Sequence, residues 1–137
     1  MIIGITAGAF DLLHAGHVIF LEKCRNSCDK LVVCLQTDPS IERPHKNKPI
    51  QSVFERYQQL EAVKYVDQIL PYETEDDFIN IMLTRLWAKR FLDHNYKDTE
   101  YTGHDLMPEH HIFIPRHHRY STTELRERVA RSHSIEQ

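Results

Sequence analysis

Hydrophobic positions change period from one segment of the chain to the next, and the changes mark its elements. Ile2 to Ala7 is a short, β-branched apolar run that stops at Gly8, the pattern of a strand. From Val18 to Cys28 the apolar residues return at helical spacing, with Val18, Leu21, Cys24 and Cys28 on one stripe. Leu31 to Gln36, Leu-Val-Val-Cys-Leu-Gln, is almost continuously apolar at strand length, which suits a strand buried on both faces in a parallel sheet. These three segments predict one βαβ unit.

The 15 residues Thr37 to Gln51 hold three of the six prolines, Pro39, Pro44 and Pro49, with the basic group Arg43, His45, Lys46 and Lys48. Connections of that length without structure of their own tend to be lids or binding loops. Ser52 with Glu55 three residues on predicts a capping box, followed by the apolar stripe Val53, Tyr57, Leu60 and Val63. Gln68 to Pro71 predicts a short strand. Thr74, Asp76 and Asp77 open a helix carrying Phe78/Ile79 and Met82/Leu83 on to Leu86. Arg90 to Asp93 reads as a strand, His94 to His110 as a polar loop and Ile112 to Ile114 as a strand closed by Pro115. The last helix starts at Ser121. The alternation predicts an α/β fold: a Rossmann-like open parallel sheet of about five strands with helices on both faces.

Length and composition narrow this further. A chain of 137 residues suits one domain, residues 1–137, and 41% hydrophobic with 27% charged residues excludes collagen-like, low-complexity and disordered classes. A net charge of -3 argues against general attraction to nucleic acid or an anionic membrane. The local basic loop has no interleaved aromatics for stacking bases. No apolar run reaches the roughly 20 residues that span a bilayer, and no basic leader precedes Ile2, so a cytoplasmic location is expected. Three cysteines, an odd number, point to reduced thiols, with Cys24 and Cys28 as small core residues.

Chemistry concentrates where the first strand runs into Gly8-Ala9-Phe10-Asp11-Leu12-Leu13-His14-Ala15-Gly16-His17, which holds two of the four glycines. Gly8 and Gly16 allow backbone to approach a ligand. A helix starting near Gly16 aims its free N–H groups and positive dipole end at that ligand, an arrangement suited to phosphate. His14 and His17, spaced i, i+3, can face one point at the helix start. A zinc site on these histidines lacks a third ligand at a familiar spacing, and His110-His111 and His117-His118 read as a strand edge and a loop rather than a metal site.

This Gly-x-Phe-Asp-x-x-His-x-Gly-His pattern resembles the signature of the cytidylyltransferase branch of the HIGH-motif nucleotidyltransferases. The segment from Arg116 through Ser121-Thr122-Thr123 to Arg126 resembles that family's second signature. The resemblance implies that Gly8, Ala9, Phe10, His14, Gly16 and His17, with Arg116, Ser121, Thr122 and Thr123, hold the nucleotide. It also implies that Lys48 on the loop and Arg56 on the next helix face the phosphates, Lys46 competing with Lys48. Where relatives read cytosine, this chain has Asp93-His94-Asn95-Tyr96, so Asn95 and Tyr96 take that position. A second departure is Arg119, where relatives usually carry glycine.

The resemblance further implies direct attack of an acceptor phosphate on the α-phosphorus of CTP, giving a CDP-alcohol and pyrophosphate, with Mg²⁺ carried by the triphosphate and no protein metal site. His14, His17, Lys48 and Arg116 are the expected catalytic residues, and Asp11, Lys48 and Arg56 the expected acceptor-side ones, Asp11 as a brace. Small size and the Phe-Asp-Leu-Leu-His run resemble the compact glycerol-3-phosphate cytidylyltransferases, which implies a small phosphorylated alcohol as acceptor and a homodimer. Two alternatives remain: an ATP-using adenylyltransferase of the same fold, and a non-catalytic nucleotide-binding module.

Overall fold

The computed structural model describes residues 1–136, with side chains through residue 133. In chain order the elements are β1 (Ile3–Gly8), α1 (Ala15–Asn26), β2 (Lys30–Gln36), α2 (Val53–Glu61), β3 (Gln68–Tyr72), α3 (Glu75–Leu83), β4 (Lys89–Asp93), β5 (His111–Ile114) and α4 (Thr122–Glu136). The five strands form one sheet in the order β3-β2-β1-β4-β5, every pairing parallel. The Rossmann-like α/β architecture expected from the alternation of periods is therefore present.

Successive side chains along the strands take opposite faces of the sheet and divide the core in two. On one face Leu21 and Cys24 of α1 and Leu60 of α2 pack over Leu31, Val33 and Leu35 of β2, with Phe91 and Ile114. On the other, Phe78 and Met82 of α3 pack with Trp87 over Ile5, Val32, Cys34 and Tyr72. β2 contributes to both, which explains its unbroken apolar run.

Side-chain caps start the helices. Ser52 and Glu55 form the predicted reciprocal box on α2, and Thr74 with Asp77 repeats it on α3. α1 begins at Ala15, three residues before the first apolar position, because His14 caps it. α3 ends at Leu83 rather than reaching Leu86: Arg85 takes a left-handed φ of 55°, which a helix cannot continue, and Leu86 is 75% exposed. Cys24 is buried as expected. Cys28 is only half-buried, its thiol donating to the Cys24 carbonyl. The expected loop between β4 and β5 contains two 3₁₀ turns, His94–Tyr96 and Pro108–His110, and lays Leu106 and Met107 on the α3-side core.

One topological feature positions the site. Strand order reverses between β1 and β4, and their ladder ends at Ile5↔Arg90 while the β1–β2 ladder continues to Gly8↔Leu35. β1 and β4 separate beyond that point, where the Thr6 hydroxyl donates to the Phe91 carbonyl. A crevice opens at the carboxyl ends of the strands, the usual ligand position in such sheets. Among the described residues no helix is long and apolar enough to cross a membrane.

Candidate nucleotide site

The crevice widens into a cleft of about 760 Å³. Its floor is the turn leaving β1, where Phe10 and Leu12 both adopt left-handed backbone, φ 48° and 53°. Two such non-glycine residues around one aspartate need anchoring from elsewhere. Asp11 supplies it: one carboxylate oxygen accepts from the Gln51 amide at 2.9 Å, the other from the Ile50 amide at 2.9 Å and Arg126 at 3.0 Å. Burial works to raise the Asp11 pKa, but these donors outweigh it and hold the carboxyl below its ordinary range. Asp11 ties the turn to the end of the long loop and to α4; it was expected on the acceptor side and lies outside the cleft lining.

His14 and His17 lie at the start of α1 with ring centroids 3.9 Å apart. His14 Nδ1 accepts from the Gly16 amide at 3.0 Å, and His17 Nδ1 accepts from the His14 amide at 3.1 Å, completing a capping box built from imidazoles. A backbone amide can only donate, so both rings are neutral with the proton on Nε2. Burial agrees: it pushes His17 down to about 3, with the neighbouring His14 acting the same way, and lowers His14 with help from Arg116. His14 Nε2 lies 3.2 Å from the Thr122 hydroxyl of α4. Gly16 makes this close approach possible, since a Cβ there would sit 2.8 Å from His14 Cε1 and 3.0 Å from the Tyr120 carbonyl oxygen.

α4 starts beside α1. Ser121 caps it, its hydroxyl accepting from the Glu124 amide at 3.0 Å, and the amino-terminal ends of α1 and α4 thus meet through the His14–Thr122 contact. Arg116 lies on the approach to α4, its guanidinium 2.9 Å from the Asp93 carboxylate at the end of β4.

Most of the predicted site residues line this cleft: Gly8, Ala9, Phe10, His14, Gly16, His17, Tyr96, Arg116, Ser121 and Thr122. Others are placed elsewhere. Asn95 and Thr123 are exposed and outside the lining. Lys48 is exposed beside the loop's end, and Lys46 is the loop lysine that lines the cleft, its Nζ 6.0 Å from the Tyr96 ring centroid. Arg56 corrects a second expectation. It is 1% exposed, and its guanidinium donates to the carbonyls of Ala9, Gln36, Thr37 and Gln51, so no face is left for a phosphate. A group counted as a ligand from its place in the chain is the strut on which loop, turn and β2 converge.

Sequence reasoning missed the roles of Arg43 and Arg90. Arg43 pairs with Glu75 at 2.6 Å and donates to Gln36, while Glu42 accepts from the Glu75 amide, so the loop is fastened to the start of α3. Arg90 lines the cleft from β4; its one signal was a charge directly before the buried pair Phe91 and Leu92 in a short strand. Among the described residues no group of three or more metal-ligating side chains converges.

A sequence profile described as cytidylyltransferase-like matches residues 5–128. The bifunctional protein HldE of Granulibacter bethesdensis is 32% identical over 106 residues, 77% of this chain and 22% of that protein. The FAD synthase of Thermococcus sibiricus is 39% identical over 66 residues, 48% of this chain and 45% of that protein. The chain thus spans about a fifth to under a half of the length of these relatives. Among solved structures, a lipopolysaccharide core biosynthesis protein from Thermoplasma volcanium superposes with a TM-score of 0.66 at 24% identity, over 88% of this chain and 99% of that one. A bifunctional NMN adenylyltransferase/ADP ribose pyrophosphatase from Francisella tularensis gives 0.61 at 16%, over 93% and 41%. Both share the fold.

Proposed function

This chain belongs to the cytidylyltransferase-like family of nucleotidyltransferases, and from that premise we propose that it transfers a nucleoside monophosphate from a nucleoside triphosphate to the phosphate of a small acceptor. We take residues 1–137 as one catalytic unit. The observation that carries the reading is the close His14–His17 pair at the start of α1, which lines one cleft together with Arg116 and the start of α4.

In this reaction an acceptor phosphate oxygen attacks the α-phosphorus, a new P–O bond forms, and the bond to the departing pyrophosphate breaks. The attacking phosphate is already ionised at neutral pH, so no general base is required. Catalysis is positioning and charge stabilisation. His17, its Nδ1 occupied by the His14 amide, keeps its proton on Nε2 and donates it as a neutral hydrogen-bond donor to a phosphoryl oxygen. His14, its Nδ1 accepting from the Gly16 amide, directs its Nε2 proton at the Thr122 hydroxyl and so acts on a phosphoryl oxygen through that hydroxyl. Arg116, Lys46 and the two helix amino termini meet the charge that builds on pyrophosphate. Glu100 in the cleft is a hard oxygen donor compatible with Mg²⁺, which when bound to the triphosphate would supply further charge neutralisation.

The first-signature resemblance favours CTP as donor and glycerol 3-phosphate as acceptor, with a homodimer as the working form. A specific observation favours a second reading with ATP: the FAD synthase relative, 39% identical over 66 residues, carries an adenine dinucleotide in its name. Pyrophosphate release with Mg²⁺, each of CTP, ATP, UTP and GTP, and a panel of acceptor phosphates headed by glycerol 3-phosphate tests both. Release with CTP or with ATP selects the donor. Absence of release with every combination, from folded protein that binds a nucleotide, would overturn the transferase reading in favour of a non-catalytic nucleotide-binding module. Sedimentation of the same sample tests the dimer.

A further inference from the structure

The cleft has a second lobe. Side chains alternate along β4, so Phe91 faces the α1 side with His14 and His17, while Arg90 faces the α3 side. There Ala7, Gln36, Tyr72, Glu75, Phe78 and Arg90 line the extension of the cleft across the end of β1. Ala7 is the small residue over which the two lobes join.

Arg90 is 5% exposed and its use of hydrogen bonds is sparse. Nη1 donates to the Thr102 carbonyl at 2.7 Å, and the guanidinium lies 4.9 Å from the Phe78 ring centroid and 5.1 Å from that of Tyr101. The nearby acid, Glu75, is taken by Arg43 at 2.6 Å. Among the described residues no carboxylate pairs with Arg90. Arg56 offers the contrast within the same molecule: equally buried, it places its donors on four carbonyls. Holding the 94–110 segment through Thr102 requires one of the five N–H donors of an arginine. Arg90 lines the cleft, and burying a cation with most of its donors unspent is costly unless an anion completes the site. Two aromatic faces hold the guanidinium in one orientation, so its fork is ready for a planar or tetrahedral oxyanion.

We propose that Arg90 is the anion-recognising residue of an acceptor lobe on the α3 side of the sheet, and that the preferred acceptor, in place of glycerol 3-phosphate, carries a second anionic group besides the phosphate that attacks. The inference rests on the nucleotidyl-transfer reading for what occupies the α1 side. A group held by Arg90 on one face of the sheet is not the group held by His14 and His17 on the other, so the acceptor bridges the end of β1 with an anion at each end. Tyr72 borders the path between them and suits a hydroxylated connecting chain.

A matched pair of probes tests this. 3-Phosphoglycerate differs from glycerol 3-phosphate in carrying a carboxylate in place of a hydroxymethyl group. Calorimetry on the whole chain should show 3-phosphoglycerate binding at least tenfold more tightly than glycerol 3-phosphate. In Arg90→Gln the preference should fall to within twofold while affinity for CTP or ATP stays within twofold of wild type, and Arg90→Lys should keep part of the preference. Equal binding of the two probes by wild type would overturn the proposal. So would loss of nucleotide and probe affinity together in both variants with a lowered Tm, the result of a purely structural Arg90. Because binding is read without turnover, absence of pyrophosphate release would count against the transferase reading alone.

Discussion

Replacing Arg56 by methionine removes the group on which three segments converge. Its guanidinium makes four hydrogen bonds, 2.5 to 3.1 Å long, to the carbonyls of Ala9 in the first turn, Gln36 and Thr37 at the end of β2, and Gln51 at the end of the long loop. A hydrogen bond from a charged donor contributes about 1.5–3 kcal/mol net, a neutral one about 1 kcal/mol. The Gln36 bond is buried and belongs near the top of the charged range, and the other three, partly buried, lie nearer the neutral value. Arg56→Met should therefore destabilise the fold by about 6 kcal/mol, a large part of the 5–15 kcal/mol typical of a domain. Arg56→Lys retains the charge and one or two of the bonds, so about half that loss is expected, which keeps the effect measurable if the methionine variant does not fold. Urea denaturation of the three proteins gives the numbers, and calorimetric titration with nucleotide gives the control. A phosphate ligand on an exposed helix would behave in the opposite way, with stability unchanged and affinity lost. An Arg56→Met protein within about 1 kcal/mol of wild type would refute the strut.

The site geometry sets further expectations. His17→Ala should lower kcat by about 100- to 1000-fold, the usual effect of losing one preorganised donor, with the far-ultraviolet spectrum unchanged; near-wild-type turnover would remove His17 from the mechanism. The depressed His17 pKa also links to stability. The unfolded chain binds a proton near pH 6.5 that the folded site refuses until about pH 3, so stability is fully present above 6.5 and declines as pH falls through that window. His17→Gln should flatten the decline in urea midpoints measured from pH 7 to 4. Gly16→Ala places a Cβ 3.0 Å from the Tyr120 carbonyl oxygen and 2.8 Å from His14 Cε1, so it should cost about 1–3 kcal/mol and separate the starts of α1 and α4, read as a lower Tm and weakened nucleotide binding. Asp11→Asn turns a triple acceptor into a group that meets donors with a donor; hydrogen exchange at the Ile50 and Gln51 amides should accelerate at least tenfold, and unchanged exchange would show that the long loop is anchored by other means.

Much of this protein was legible in its sequence because the relevant physics is local. The short β-branched run of β1, the unbroken apolar run of β2, the Ser52–Glu55 capping box and the glycines and histidines of the first turn each act within a few residues, and the structure places these elements along the chain as read. The family resemblance likewise rested on residues close together in the chain. What the sequence by itself could not determine was the destination of long charged side chains. Arg56 turns inward because Ala9 and Gln36, 47 and 20 residues away, present carbonyls to one point. Lys46 rather than Lys48 reaches the cleft because Arg43 and Glu42 fasten the loop to α3 and so fix how it crosses the opening. Arg90 becomes a cleft residue only because β1 and β4 separate beyond Ile5 and a segment about ten residues downstream folds Tyr101 over it. Hydrophobic periodicity reports which face of an element is buried. Which polar groups meet at a strand edge is decided by the register and crossing order of the sheet, and those exist only once the chain has folded.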